Sequence, residues 1–165
     1  MPKECSECGA KLKAEQKECT YCGTPFHNED EELLIELMSV ARKYNQALAK
    51  ANLLEIGRTL ADDYEGVLID AGVESFINKK GLLETVQIDK NFVSYNIHDE
   101  ELIERTTDRA TIRCIQTVSR RSVFEPGTFE PYIERGIINF VRCNGQWQIL
   151  SQKTVTIDEN GNEYE

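Results

Sequence analysis

Four residues stand out for their chemistry before anything else in the chain: Cys5, Cys8, Cys19 and Cys22, set in the stretch ECSECGAKLKAEQKECTYCGTPF as two matched Cys-x-x-Cys steps. Two residues between thiols let one tight turn present both sulfurs to the same point, and four thiolates suit a d10 zinc ion with no geometric demand beyond tetrahedral packing. Each step is followed at once by glycine, Gly9 and Gly23. The backbone must bend beneath the sulfurs there, often with positive φ, and glycine does so without a Cβ clash. The ten residues between Cys8 and Cys19 are fewer than in longer relatives of the pattern, yet enough for a small hairpin that brings the two turns together.

A disulfide pair or a redox-active Cys-x-x-Cys is the competing assignment, and the duplication of the step argues against both. An iron centre of rubredoxin type uses similar turns, separated more widely. His27 stands close enough to be proposed as a ligand, but four thiolates already close the site. The segment resembles the zinc-ribbon modules found at the start of many bacterial proteins. That resemblance specifies a metal, Zn2+, and leaves the function open. Lys3, Lys11, Lys13 and Lys17 are offset by Glu4, Glu7, Glu15 and Glu18. No cationic face of the kind nucleic-acid ribbons need can be assembled from them, so a structural role or docking of a partner protein is expected at the ribbon.

The remaining acid-base candidates are sparse. His98 sits beside Asp99, but neighbours on a strand point to opposite faces, which makes the pair an exposed turn rather than a catalytic couple. No Gly-rich phosphate loop, Ser-His-Asp set or His-Glu-x-x-His motif occurs. With 19 basic and 29 acidic side chains the 165-residue chain carries a formal charge of -10. That balance disfavours nucleic acid and anionic membrane as partners. Arg105, Arg109, Arg113, Arg120 and Arg121 are the candidates for a cationic surface, and on strands they are expected to pair with glutamates. No apolar run approaches a membrane span and no hydrophobic leader is evident, which places the chain in the cytoplasm, where free thiols persist. Cys114 and Cys143 are accordingly expected as free thiols, buried by default.

These groups need elements to hold them. The run HNEDEE begins a helix: Asn28 with Glu31 fits an N-cap signature, and carboxylates in a first turn complement the helix dipole. Leu34, Leu37, Met38, Ala41, Tyr44 and Leu48 then recur at steps of three and four, the mark of one buried stripe. Asn52 with Glu55 caps a second, shorter helix that should stop near Ala61. DYEGVLID reads as a first strand, followed by a loop around Gly72 and a short helix from about Lys79 to Thr85. Beyond Asn91 the β-branched and aromatic content rises, and NFVSYNIH, ELIERTT, RATIRCIQTVSRRSV, YIERGIINFVRC and QWQILSQKTVTI all read as strands.

Asn144-Gly145 is a type I′ hairpin signal that sets a register: Cys143 opposite Gln146, Val141 opposite Gln148, Asn139 opposite Leu150 and Ile137 opposite Gln152. The other face carries Arg142 with Trp147, Phe140 with Ile149, and Ile138 with Ser151. That more apolar face should pack on the long helix. The Val141 face becomes a mixed surface suited to a homodimer contact through the sheet.

Helices followed by a curved antiparallel sheet make an α+β body. Its order resembles the nuclear transport factor 2-like superfamily, a cone-shaped, cystatin-like fold that includes ketosteroid isomerases, polyketide cyclases and scytalone dehydratase beside many non-enzymatic domains. KYNQALAKANLLEIGRTLADDYEGV and FVRCNGQWQILSQ carry the likeness. The organisation expected is a zinc ribbon over 1–26, a short linker and helix start over 27–32, the cone over 29–157 and an acidic tail over 158–165. In the isomerase branch a long-helix tyrosine donates to a developing oxyanion and a first-strand carboxylate moves the proton. The resemblance puts Tyr44 at the tyrosine position and Leu68 at the carboxylate position. Leucine cannot accept a proton, which leaves Asp63 and Asp70 as the carboxylates that could substitute. The expectation is a non-catalytic module that binds a partner protein or a small apolar ligand as a dimer; the alternative is a small isomerase, dehydratase or cyclase acting on a hydrophobic substrate.

Overall fold

The computed structural model describes residues 4–5, 7–11, 18–23, 29–88, 92–121 and 129–164, for residues 88, 92–94, 120–121 and 129–130 as backbone alone. The chain divides into two compact units, Met1–Glu36 and Leu37–Glu165. Asn28, His27, most of the ribbon lysines and the start of the EPGTFEP loop lie outside the described residues. No described helix is long and apolar enough to cross a membrane.

Helix α1 (Glu29–Ala49) opens with Glu29, Asp30, Glu31 and Glu32, acidic groups where the helix dipole favours them. Its second-unit portion buries Leu37, Met38, Ala41, Tyr44 and Leu48, the stripe expected from the spacing, and adds Asn45 and Ala47. Leu34 is only half-buried. Each fully buried leucine or methionine of such a stripe contributes about 1.5–3 kcal/mol. Asn52 caps α2 (Leu53–Thr59) by accepting from the Glu55 amide at 3.2 Å, as its position implied. The helix ends two residues sooner than expected, because Leu60 already adopts extended geometry and begins β1 (Leu60–Asp70).

One strand escaped the pattern reading. VESFIN forms β2 (Val73–Asn78), joined to β1 by a two-residue turn in which Ala71 and Gly72 both have positive φ, 49° and 77°. That is the hairpin turn Asn-Gly usually signals, made here by Ala-Gly. Asn78 then caps α3 (Lys79–Ile88) by accepting from the Gly81 amide at 2.8 Å. Gly81 therefore sits in the first turn, where it weakens the helix little.

The rest is sheet: β3 (Phe92–Arg105), β4 (Arg109–Arg121), β5 (Phe129–Cys143) and β6 (Gln146–Ile157). The order is β2-β1-β6-β5-β4-β3, antiparallel throughout except where β1 runs parallel to β6. The two segments expected as separate strands before Thr107 are one strand, β3, interrupted by register shifts. The Asn144-Gly145 turn has the expected positive φ at both residues, 52° and 76°. Its register holds from Cys143↔Gln146 to Phe140↔Ile149 and then slips by one, giving Asn139↔Ser151, Ile138↔Gln152 and Ile137↔Lys153 in place of the pairs expected there. The extra residue is a β-bulge, and a one-residue slip turns every later side chain over. Gln152 thereby moves to the helix-covered face.

That face holds the core. Ile112, Cys114, Val118, Ile138, Phe140, Trp147 and Ile149 are buried on it, together with Ile97 and Ala110. Arg142 stacks on the Trp147 ring at 5.8 Å. Cys114 is buried as expected, whereas Cys143 is exposed because it sits at the hairpin end; both are free thiols.

Candidate functional site

In the ribbon, the Gly9 amide donates to the Cys5 carbonyl and the Gly23 amide to the Cys19 carbonyl, each at 2.8 Å. The two turns are built alike, with φ of 70° at Gly9 and 72° at Gly23. A bridge between Glu4 and Lys11 closes the first as a small hairpin. All four sulfurs lie within 4.8 Å of one another, with Cys5 Sγ to Cys22 Sγ at 3.7 Å and Cys8 Sγ to Cys19 Sγ at 3.6 Å. A tetrahedron with Zn–S bonds of about 2.3 Å has edges of roughly 3.8 Å, so the donor set fits zinc. Cys5, Cys8, Cys19 and Cys22 would hold the ion, which would fasten the two turns together.

In the body, two adjacent residues of α1 each head a chain of hydrogen bonds into the sheet. Tyr44 donates to Tyr64 on β1, and the Tyr64 hydroxyl donates to Gln152 Oε1 at 2.8 Å. Asn45 Nδ2 donates to Gln116 Oε1 at 3.1 Å, and Gln116 Nε2 donates to Glu134 Oε2, also at 3.1 Å. Tyr132 donates to Glu134 as well. Glu134 and Gln116 are paired residues on β5 and β4, which sets their side chains side by side. Linked bonds of this kind strengthen one another in a low dielectric.

Burial sets the electrostatics. It pushes the Tyr64 phenol up to about 12 and Tyr44 well above its usual value. For Glu134, 5% exposed, burial is the largest cause of a rise to about 7, reinforced by the negative charge of Asp70 and opposed by the bonds from Gln116 and Tyr132. A carboxyl that titrates near neutrality among phenols and amides can exchange a proton or hold one in a hydrogen bond.

Beside the Tyr64–Gln152 contact lies a cleft of ≈ 270 Å³, walled by Gly66, Leu68, Phe76 and Ile77, with Ser75 and Thr154 at its polar side. Gly66 keeps this corner open, since a Cβ there would stand 2.7 Å from the Tyr64 hydroxyl and 3.1 Å from Ile77 Cγ2.

Of the expected acid-base groups, Tyr44 lies in the buried network, Leu68 lines the cleft, and neither Asp63 nor Asp70 does. Asp63 is exposed on β1, and Asp70 is exposed at its end, within electrostatic range of Glu134. His98 and Asp99, expected to point apart, are instead bonded, Nδ1 to Oδ2 at 3.0 Å, while His98 Nε2 meets Thr117 Oγ1 at 3.2 Å. The cause is Asp99, whose φ of 52° sits at a register shift and turns its side chain back. Arg113 pairs with Glu101, as the strand arginines were expected to do.

Residues 5–26 match the zinc-ribbon domain family. The sequence matches no functionally curated protein. Among solved structures, a ketosteroid isomerase-like protein from Erwinia carotovora atroseptica is similar, with a TM-score of 0.58 and 22% identity over 80% of this chain and 99% of that one. A nuclear transport factor 2-like protein from Cytophaga hutchinsonii aligns with a TM-score of 0.63 and 12% identity, covering 79% of this chain and all of the other, 100%. A nuclear transport factor 2-like protein with a cystatin-like fold from Novosphingobium aromaticivorans aligns with a TM-score of 0.60 and 16% identity, covering 79% of this chain and 84% of that one. The chain is thus a metal-ribbon segment joined to an α+β body. More particularly, the front is a zinc ribbon, and the body carries the nuclear transport factor 2-like fold.

Proposed function

We propose that the chain is a non-catalytic binding module of the cytoplasm: the body receives a small apolar group in the cleft beside Tyr64, two copies meet through the outer face of the sheet, and the ribbon docks a partner protein. The observation that carries this reading is Leu68, which lines the cleft where the isomerase frame would put its proton-moving carboxylate. Around it the cleft is mostly apolar, and the polar marks are Tyr64, already engaged with Gln152, and the hydroxyls of Ser75 and Thr154. Such a surface orients one hydrogen-bonding group on an otherwise apolar ligand. On the outer face Ile137, 38% exposed, stands among Arg113 and Lys153, a mixed patch suited to a contact between copies.

A second reading has its own support. Glu134 titrates near 7 and acts electrostatically on Tyr44, a pairing that could serve an isomerase, dehydratase or cyclase. One experiment separates the two. Titration with the apolar dye 1-anilinonaphthalene-8-sulfonate should show one saturable site, weakened at least tenfold by Leu68→Trp, with no turnover of a steroid-like β,γ-unsaturated ketone. Turnover that disappears in Glu134→Gln establishes the enzyme instead, and dye binding that ignores Leu68→Trp removes the cleft.

A further inference from the structure

The two outer strands of the sheet are finished differently. Strand β3 carries three register shifts and the carboxylates Asp99, Glu100, Glu101 and Glu104, devices that discourage a further strand from pairing. Strand β2 has no register shift and a single carboxylate. Its six residues pair with β1 in unbroken register from Asp70↔Val73 to Glu65↔Asn78, and Glu74 is its one charge. It contains no proline or lysine, and five of its six residues are exposed. Val73 and Phe76 are 65% and 67% exposed. Among the described residues nothing pairs with its outer side.

We propose that β2 is a docking edge for an extended segment of a partner protein, which adds as a further antiparallel or parallel strand and seats one apolar side chain in the neighbouring cleft. This rests on the reading that the cleft takes an apolar group. Phe76, Ile77 and Ser75 belong both to the strand and to the cleft wall, so main-chain pairing and side-chain capture would occur together. The charge around the edge selects the partner. Asp70 and Glu74 flank one end. At the other, a hollow of ≈ 460 Å³ is lined by Asp62, Asp63 and Glu65 with Lys79 and Lys80, and Lys79 is already engaged by Asp62 and the Leu60 carbonyl. Five carboxylates against two ammonium groups, on a chain of charge -10, fit a segment in which apolar residues alternate with lysine or arginine. At about 3.3 Å per residue, six or seven such residues span the edge.

The test uses the full zinc-loaded chain and a fluorescein-labelled seven-residue peptide in which lysine alternates with valine and phenylalanine. Anisotropy should show saturable binding, and hydrogen exchange should slow at residues 73–78. The same peptide N-methylated at alternate positions keeps its charge and side chains but cannot pair along one edge; it should bind at least tenfold more weakly, as should the parent peptide to Phe76→Lys. Equal binding of the methylated peptide, or protection appearing elsewhere, overturns the proposal. So does slowed exchange at β2 that rises with protein concentration without peptide, which would assign the edge to a second copy. Failure of the peptide while the apolar dye still binds removes the strand docking and leaves the cleft; failure of both removes the two together.

Discussion

In the ribbon the only buried side chains among the described residues are Cys5 and Cys19, two of the metal ligands themselves. In the body, Phe140, Leu37, Met38, Ile56, Leu60, Ile112 and Ile149 are shut from solvent by packing against one another and their apolar neighbours. One region is held by a chelate and the other by packed apolar surface, so a change that ruins the first need not touch the second. The contrast also separates what is chemically local from what is assembled. Four thiols within eighteen residues make the ribbon's site, whereas the body's site draws on a helix and five strands.

The largest expected effect tests the first half of that comparison. Apparent binding energies of structural zinc run to about 10–16 kcal/mol and are folding energy for the segment that binds it. Cys19→Ser, or removal of metal by a chelator, should take the zinc content from one ion per chain to a small fraction of that and erase the dispersed amide signals of residues 4–5, 7–11 and 18–23. The urea midpoint of the body should stay where it is. A ribbon that keeps its spectrum without metal would show that packing, not chelation, holds it.

Next in size is a pH effect confined to the body. Glu134 titrates at about 7 when folded and near its ordinary value of 4.5 when unfolded, so between those values the folded chain retains a proton that the unfolded chain has released. A raised folded value means the stabilisation is complete below pH 4.5 and is lost as pH rises through 7. The loss amounts to about 3 kcal/mol at 1.36 kcal/mol per tenfold change. Glu134→Gln, which can still accept from Gln116, should be at least as stable as the parent at pH 8 and lose the part of the pH 5 to pH 8 decline that Glu134 causes. Urea unfolding at both values measures it. Identical declines in parent and variant would mean that Glu134 is not the titrating group.

How far the sequence reveals each site follows the same division. The ribbon's ligands and its two left-handed glycines are legible because spacing and local turn geometry decide them. The long helix, its buried stripe and the Asn144-Gly145 turn are legible for the same reason. The body's network is not. Asn45 and Gln116 are 71 residues apart, and Tyr64 and Gln152 are 88 apart. Gln152 joins the inner face only because a bulge after Ile149 inverts the later residues of β6, and no local signal marks the bulge. Glu134 lies in YIERGIINF between Ile133 and Arg135, and the one available hint is an acidic residue in line, at two-residue spacing, with Tyr132, Ile138 and Phe140. Strand β2 is hard to read from sequence because Ala-Gly is a weak turn signal and VESFIN alternates poorly.

The smallest expected effect probes how tightly the assembled site is fitted. Gly66 pairs with Gln152 across β1 and β6 and with Ile77 across β1 and β2, so its missing side chain is the space that the Tyr64 hydroxyl occupies. In Gly66→Ala the new methyl would fall 2.7 Å from that oxygen, closer than packed atoms allow. Tyr64 must swing away or β1 must shift. Either response breaks the bond to Gln152 and narrows the cleft, and overpacking of this kind costs about 1–3 kcal/mol. The expected outcome is a lower urea midpoint together with loss of apolar-dye binding, while zinc content is unchanged. Gly57, whose added Cβ would meet nothing within 4 Å, supplies the control: Gly57→Ala should leave the dye site intact. If Gly66→Ala also leaves stability and dye binding intact, the corner between Tyr64 and Ile77 is slack, and the body's site is less sharply assembled than its hydrogen bonds imply.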